Sequence, residues 1–197
     1  VTLIATPDIA VLERQLADAV ARERWPEAEH FGNLLDQLCA EPAPPGLCDA
    51  ALWYASLGIP VFPLEPGGKR PYPGSHGCKD ATLDPTRIRA WWDAAPSSNI
   101  GIATGHIVDA IDLDGAQGVK SWSGEMWGSL PPIIGTVRTR RPGGWHLYIA
   151  PTGMHNRAGM FPGVDYRGRG GYTVAPPSIT VGVTYRWARS LHLGGTA

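Results

Sequence analysis

Ile107-Val-Asp-Ala-Ile-Asp-Leu-Asp-Gly115 places two aspartates, Asp112 and Asp114, two residues apart in an apolar, strand-like run. In a β-strand, residues i and i+2 point to the same face. The pattern predicts a strand over 107–114 that aims two carboxylates together from a rigid element. Carboxylates are costly to bury unless a cation compensates them. A hard divalent ion with oxygen ligands, Mg²⁺ or Mn²⁺, is the simplest compensation. A strand end running into a turn would carry Asp and Gly as well, so the surrounding sequence has to arbitrate. Asp109 falls on the other face of the same strand and reads as a strand-start or solvent-facing residue.

Outward from this stretch, the periodicities predict helices and strands in alternation, then mostly strands. A helix is expected over 47–57, stopped by Gly58, and a short strand over Ile59–Leu64. Asp84 and Pro85 are an N-cap and first-turn signal for a helix through Trp92. Strands follow at Asn99–Thr104 and 107–114, then a helix near 116–130. Further strands are expected at Ile134–Thr139, Trp145–Ala150, Tyr172–Ala175 and Val183–Trp187. This is a mixed α/β, or α+β, domain with a largely antiparallel sheet in its second half. Most of the tryptophans, Trp53, Trp91 and Trp92 especially, are expected in the core.

The N-terminal segment differs in character. Thr6 and Pro7 open an amphipathic helix over 6–24, and a second helix runs from near Pro26 to Cys39. Glu41-Pro-Ala-Pro-Pro-Gly46 then interrupts regular structure. We therefore expect an acidic helical appendage over 1–41, a proline-rich linker over 42–46, a main domain over 47–190 and a tail over 191–197. The closing Leu-Gly-Gly-Thr-Ala reads as the start of a linker.

Composition bounds the function. The chain has 197 residues, of which 43% are hydrophobic, 18% charged, 25 glycine and 19 proline. That suits a turn-rich globular domain rather than a helical bundle. It contains no apolar run of about 18 residues, so no membrane span is expected, and no signal peptide is evident. Three cysteines, Cys39, Cys48 and Cys78, fit a reducing cytoplasm. A zinc site from these and His76 can be drawn but lacks a Cys-x-x-Cys pair. The formal net charge of −1 conceals an asymmetry. Residues 1–50 hold nine acids against three arginines, whereas residues 138–189 hold eight arginines, no lysine and one acid, Asp165. Arginine is the residue suited to bidentate phosphate contact, so the second half carries a polyanion-binding character.

Three polar points fall at predicted strand ends. Asp112 with Asp114 is the first. His146, in Pro142-Gly-Gly-Trp-His-Leu-Tyr-Ile149, is the second. Asp165, in Pro162-Gly-Val-Asp-Tyr-Arg-Gly-Arg-Gly-Gly-Tyr172, is the third. The last two follow glycine-rich turns, which let a backbone approach a phosphate closely.

In that order, and with Pro176-Pro-Ser178 following, these motifs resemble the primase-polymerase domain of the archaeo-eukaryotic primase superfamily. The closest likeness is to the bifunctional DNA primase/polymerase N-terminal domain of phages, plasmids and mobile elements. Gly67-Gly-Lys-Arg-Pro71, Lys79-Asp-Ala-Thr82, Arg89-Ala-Trp-Trp92 and Asn99-Ile-Gly-Ile-Ala-Thr-Gly105 match its earlier segments. The likeness spans about residues 47–189.

The resemblance implies an RRM-like sheet carrying the active site and template-directed nucleotidyl transfer. It implies that Asp112, Asp114 and Asp165 are catalytic and hold two Mg²⁺ or Mn²⁺ ions. His146 would contact the incoming nucleotide's phosphates. Lys69, Lys79, Arg138, Arg140, Arg167 and Ser178 lie in matching loops as weaker nucleotide contacts. Members often carry serine two residues before the histidine. Here Gly144 stands there, and its backbone N–H would take the hydroxyl's place. The partners implied are single-stranded DNA template, primer, and dNTP or NTP. A helicase domain or protein in the parent replication system is also implied, although no Walker A pattern occurs in this chain. Two other classes remain open from residues alone: a non-catalytic nucleic-acid-binding replication module and a metal-dependent nuclease, because aspartate clusters serve both polymerisation and cleavage.

Overall fold

The computed structural model describes residues 46–125, 132–141 and 143–193, together with Val11, Gln15 and Asp18. Apart from those three residues, the expected appendage over 1–41 and most of the linker lie outside the described residues.

Three α-helices and eleven strands follow one another in the described chain. They are α1 (Leu47–Ser56), β1 (Val61–Leu64), α2 (Pro85–Ala94), β2 (Asn99–Ala103), β3 (Asp109–Leu113) and α3 (Gly115–Glu125). Then come β4 (Ile133–Arg138), β5 (Trp145–Ile149), β6 (Arg157–Phe161), β7 (Val164–Arg167), β8 (Tyr172–Ala175), β9 (Ile179–Thr180), β10 (Val183–Thr184) and β11 (Arg186–Arg189). A short 3₁₀ turn, Gly77–Asp80, lies between β1 and α2. Sheet order is β1-β2-β8 in the small sheet and β11-β4-β5-β3-β7-β6 in the large one, and β9 and β10 form a separate two-stranded ribbon. Every named strand pair is antiparallel. The fold is the mixed α+β type expected, with Asp112, His146 and Asp165 carried by the six-stranded sheet.

Local chemistry explains the elements. Asp84 caps α2 by accepting from the Thr86 N–H at 2.9 Å, with Pro85 in the first turn. Pro63 is tolerated because β1 is an edge strand and needs no second partner. Opposite Phe62, Gly101 leaves the space that the Phe62 ring fills, since a Cβ there would come within 2.6 Å of the ring.

Two cores result. One lies between α1, α2, the small sheet and the near face of the large sheet, and buries Ile88, Trp92, Ile100, Ile102, Ala110, Val137 and Tyr148. The other lies between α3 and the far face, and buries Ile111, Leu113, Val119, Leu147, Val164 and Tyr166. Leu191 and Leu193, in the segment expected as a tail, pack against the first core. Tyr54 ties the layers together. Its hydroxyl donates to the Pro176 carbonyl at 2.8 Å and accepts from the Trp187 indole N–H at 3.1 Å. Fully buried tyrosines need such partners.

The structure departs from the sequence expectation at several points. Strands β6 and β7 form a hairpin that the periodicity does not announce, because β6 is an exposed edge strand with no alternation. The single strand expected over 183–187 is split into β10 and β11 around Tyr185. Asp109 does begin β3, but it is not solvent-facing: it is fully buried on the far face. Its carboxylate accepts from the Thr152 N–H at 2.8 Å and from the Tyr166 hydroxyl. Both donors reach Oδ2 and replace water there, while Oδ1 is buried without a hydrogen-bond partner. The Tyr166 hydroxyl in turn is pushed up to about 12, by burial first and then by this carboxylate.

Candidate active site

Register in the large sheet brings the three polar points of the sequence side by side. On β3, Asp112 is the direct partner of His146 on β5 and of Asp165 on β7. Side chains of directly opposed residues share a face. The next row on the same face is Tyr148, Ala110 and Arg167. The small Ala110 side chain sits between Tyr148 and Arg167 in that row. Arg167 turns back toward the carboxylates, with Nη2 2.6 Å from Asp165 Oδ2 and 3.4 Å from Asp112 Oδ2.

Each carboxylate has further partners. Asp165 Oδ1 accepts from the Gly159 N–H of β6 at 2.7 Å. Asp112 Oδ1 lies 3.5 Å from His146 Nε2. Asp114 is placed differently from the expectation. The strand ends at Leu113, so Asp114 already belongs to the turn into α3. Its side chain is half-exposed and pairs with Arg141 Nη1 at 3.1 Å. The three acids are therefore not gathered as one set. Among the described residues, no three His, Cys, Asp or Glu side chains are grouped to hold a metal ion. Asp112 and Asp165 nevertheless fit one. Two opposed carboxylates on rigid strands already share a single cation, the Arg167 guanidinium, and hard oxygen donors of this kind are what Mg²⁺ and Mn²⁺ take.

His146 is buried, and burial is the main influence lowering its pKa below the ordinary imidazole value of 6.5. Asp112 opposes that shift, while Lys69 and Arg167 reinforce it. The unfolded chain therefore takes up a proton here more readily than the folded one in mild acid. The stability carried by neutral His146 is full above 6.5 and is lost as pH falls through the lower folded value. We expect His146→Gln to flatten this part of the profile. Its urea midpoint should fall less than that of the wild type between pH 7.5 and pH 5, and an unchanged slope would contradict the assignment.

Around the histidine lie Tyr185, which the sequence did not single out, and Lys69, which it did. The Tyr185 ring is 5.7 Å from the His146 ring between centroids, and Lys69 Nζ lies 6.0 Å above Tyr185. Both the Tyr185 hydroxyl and His146 Nδ1 are buried without a hydrogen-bond partner. Unpartnered buried polar atoms cost stability, and native structures hold few of them. Here two such atoms belong to rings that stand next to each other. Tyr185 was hidden inside the strand expected over 183–187, and no motif points to it. Arg141 was visible only as one of eight clustered arginines.

The remaining sequence candidates divide. Lys69 reaches the histidine cluster through Tyr185. Arg140 lies in the β4–β5 turn beside Arg141. Lys79 is exposed on the 3₁₀ turn. Ser178 is fully buried, and its hydroxyl accepts from the Ile100 N–H at 2.8 Å, so it joins β2 to the β8–β9 turn. The Gly144 N–H donates to the Arg141 carbonyl at 2.8 Å, closing the turn rather than standing ready for a phosphate. Its lack of a side chain matters more, because a Cβ would come within 2.4 Å of Thr139 Oγ1. Arg138 lies in the row of Trp145, opposite to the row of His146, with its guanidinium 5.6 Å from the Trp145 ring centroid.

A family model for the bifunctional DNA primase/polymerase, N-terminal, matches residues 51–194, most of the chain and all of this site. The chain belongs to that family. A search among curated proteins found no match. The family is one of primase- and polymerase-type nucleotidyltransferases, whose substrates are DNA and nucleotides and which generally use divalent metals. In this primase/polymerase domain the matched region begins inside α1 and ends just after β11, so all three sheets belong to it. No helix among its described residues is long and apolar enough to cross a membrane.

Proposed function

We propose that this domain joins nucleoside triphosphates on a single-stranded DNA template, making or extending primers, at the face where His146, Asp112 and Asp165 stand in one row. The register of β5, β3 and β7 carries this reading. It fixes an imidazole and two carboxylates on three adjacent strands, which is a rigid base for chemistry that depends on positioning.

Asp112 and Asp165 would hold Mg²⁺ or Mn²⁺, with Asp114 joining them from the turn once released from Arg141. When bound, divalent ions neutralise the triphosphate and make a 3′-hydroxyl nucleophilic. His146, neutral and buried, would donate a hydrogen bond to a phosphate oxygen. Lys69, beside it through Tyr185, would supply positive charge to the same triphosphate. Arg140 and the other arginines of the second half would meet template and primer phosphates, so template binding should weaken steeply with salt.

The test is synthesis of labelled product on a single-stranded template. It is run with and without primer, with dNTPs or NTPs, and with Mg²⁺ or Mn²⁺. Product that lengthens only when nucleotides are supplied is the expected result. Primer shortening without nucleotides would mean a nuclease, and metal-independent strand binding without synthesis would mean a binding module.

A further inference from the structure

Resting on the metal reading just proposed, we infer that Arg167 is a cation held in place of the metal, and that its release couples metal binding to nucleotide binding.

The geometry is specific. Asp112 and Asp165 are directly opposed on neighbouring strands, an arrangement that like charges disfavour. Something positive must lie between them for the sheet to keep this register cheaply. Arg167, two residues along β7 and on the same face, does so with a single nitrogen touching both carboxylates. The three side chains are between 16 and 26% exposed. Salt and water therefore screen them less than a surface pair.

A divalent ion and the guanidinium need the same oxygens. Arg167 therefore yields Asp112 and Asp165 when they are taken, and its planar fork becomes available. A guanidinium freed at this position meets the group it suits best, a phosphate. The site thus presents less positive charge to a triphosphate before metal arrives and more afterwards. By linkage, nucleotide must then favour metal by the same factor. The Arg141–Asp114 pair resembles this arrangement, but its side chains are 55% and 44% exposed. An exposed pair of that kind holds its partner weakly, so Arg141 should contribute little to the coupling.

The experiment measures Mn²⁺ affinity by electron paramagnetic resonance on the full chain without nucleotide. Arg167→Gln should bind Mn²⁺ about tenfold more tightly than wild type, within the usual range of coupling between sites. Arg141→Gln removes a nearby cation too and serves as the control for a mere change of field; its gain should stay under about threefold. In parallel, the Arg167 side-chain N–H resonance, assigned by its loss in Arg167→Gln, should move as Mg²⁺ is titrated. Unchanged or weaker Mn²⁺ binding by Arg167→Gln, an equal gain in Arg141→Gln, or a stationary resonance at saturating Mg²⁺ would overturn the inference alone. Equal Mn²⁺ affinity in wild type and Asp165→Asn would remove the metal reading itself, and the inference with it.

Discussion

Asp112→Asn is expected to reduce nucleotide incorporation by about a hundredfold to a thousandfold, the scale seen when one preorganised electrostatic group is removed from a catalytic site. The substitution keeps shape and changes charge. Asp112 is central in the row, opposed to His146 on one side and Asp165 on the other. It therefore touches both halves of the proposed site. The fold should survive, because Arg167 keeps its shorter contact to Asp165 at 2.6 Å, and the asparagine removes one of two opposed negative charges. Circular dichroism and the urea midpoint would establish that. Primer extension with Mn²⁺, followed per unit of folded protein, then reads the chemistry. The order among the acids is informative as well. Asp165→Asn should approach the loss seen at Asp112. Asp114→Asn should lose less, since its carboxylate stands in the turn, half-exposed and engaged with Arg141. Activity above about a tenth of wild type in a folded Asp112→Asn protein would refute the assignment, because no electrostatic group of this importance is so cheaply removed.

Much of this site was legible in the chain. The alternation in Ile-Asp-Leu-Asp, the glycine turns before His146 and Asp165, and the order of the three motifs all led to the strands that meet in the large sheet. What could not be read is pairing. Nothing local tells that β5 and β7 flank β3, because register depends on which faces are buried across the sheet. Tyr185 and Arg141 owe their positions to that pairing and not to any motif. Asp109 was misread for a related reason. A charged residue at a strand start ordinarily faces water, and only the fold supplies Thr152 and Tyr166 as its buried donors. The β6–β7 hairpin escaped because Arg-Ala-Gly-Met-Phe has no period of two, and an edge strand exposed over its first three residues needs none. Asp114 shows how a short motif can mislead by one residue. The same-face rule holds within a strand, and β3 ends before reaching it.

The same pairing makes Gly118 a second point of large sensitivity, although it touches no reacting group. Glycine inside a helix is ordinarily a defect, and replacing it by alanine should gain about 1 kcal/mol of helix propensity. Here the sign reverses. A Cβ on Gly118 would come within 2.2 Å of the Gly163 carbonyl oxygen and 3.0 Å of the Leu113 carbonyl carbon, both backbone. Neither can rotate aside. The Gly163 oxygen is held by the Asp114 N–H at 2.8 Å. Gly163 has φ +72 and is itself backed against Gly118, since a Cβ there would lie 2.7 Å from the Gly118 nitrogen. Overpacking of this kind costs about 1–3 kcal/mol and occasionally more, and a lost Gly163–Asp114 bond would add about 1 kcal/mol. We expect Gly118→Ala to be destabilised by about 2 kcal/mol net once the propensity gain is subtracted. Gln117→Ala, one residue away and exposed, should stay within about 0.5 kcal/mol of wild type. The displacement has somewhere to go. Gly163 leads directly into Val164 and Asp165, and Asp114 opens α3, so relief of the clash must shift two of the three acids relative to Asp112. Primer extension by Gly118→Ala, measured well below its unfolding transition, should therefore fall about tenfold or more, as misplacement by about an ångström does elsewhere. A Gly118→Ala protein at least as stable as wild type would show that α3 can lift from the β6–β7 turn without cost, and that the turn does not set the place of Asp165.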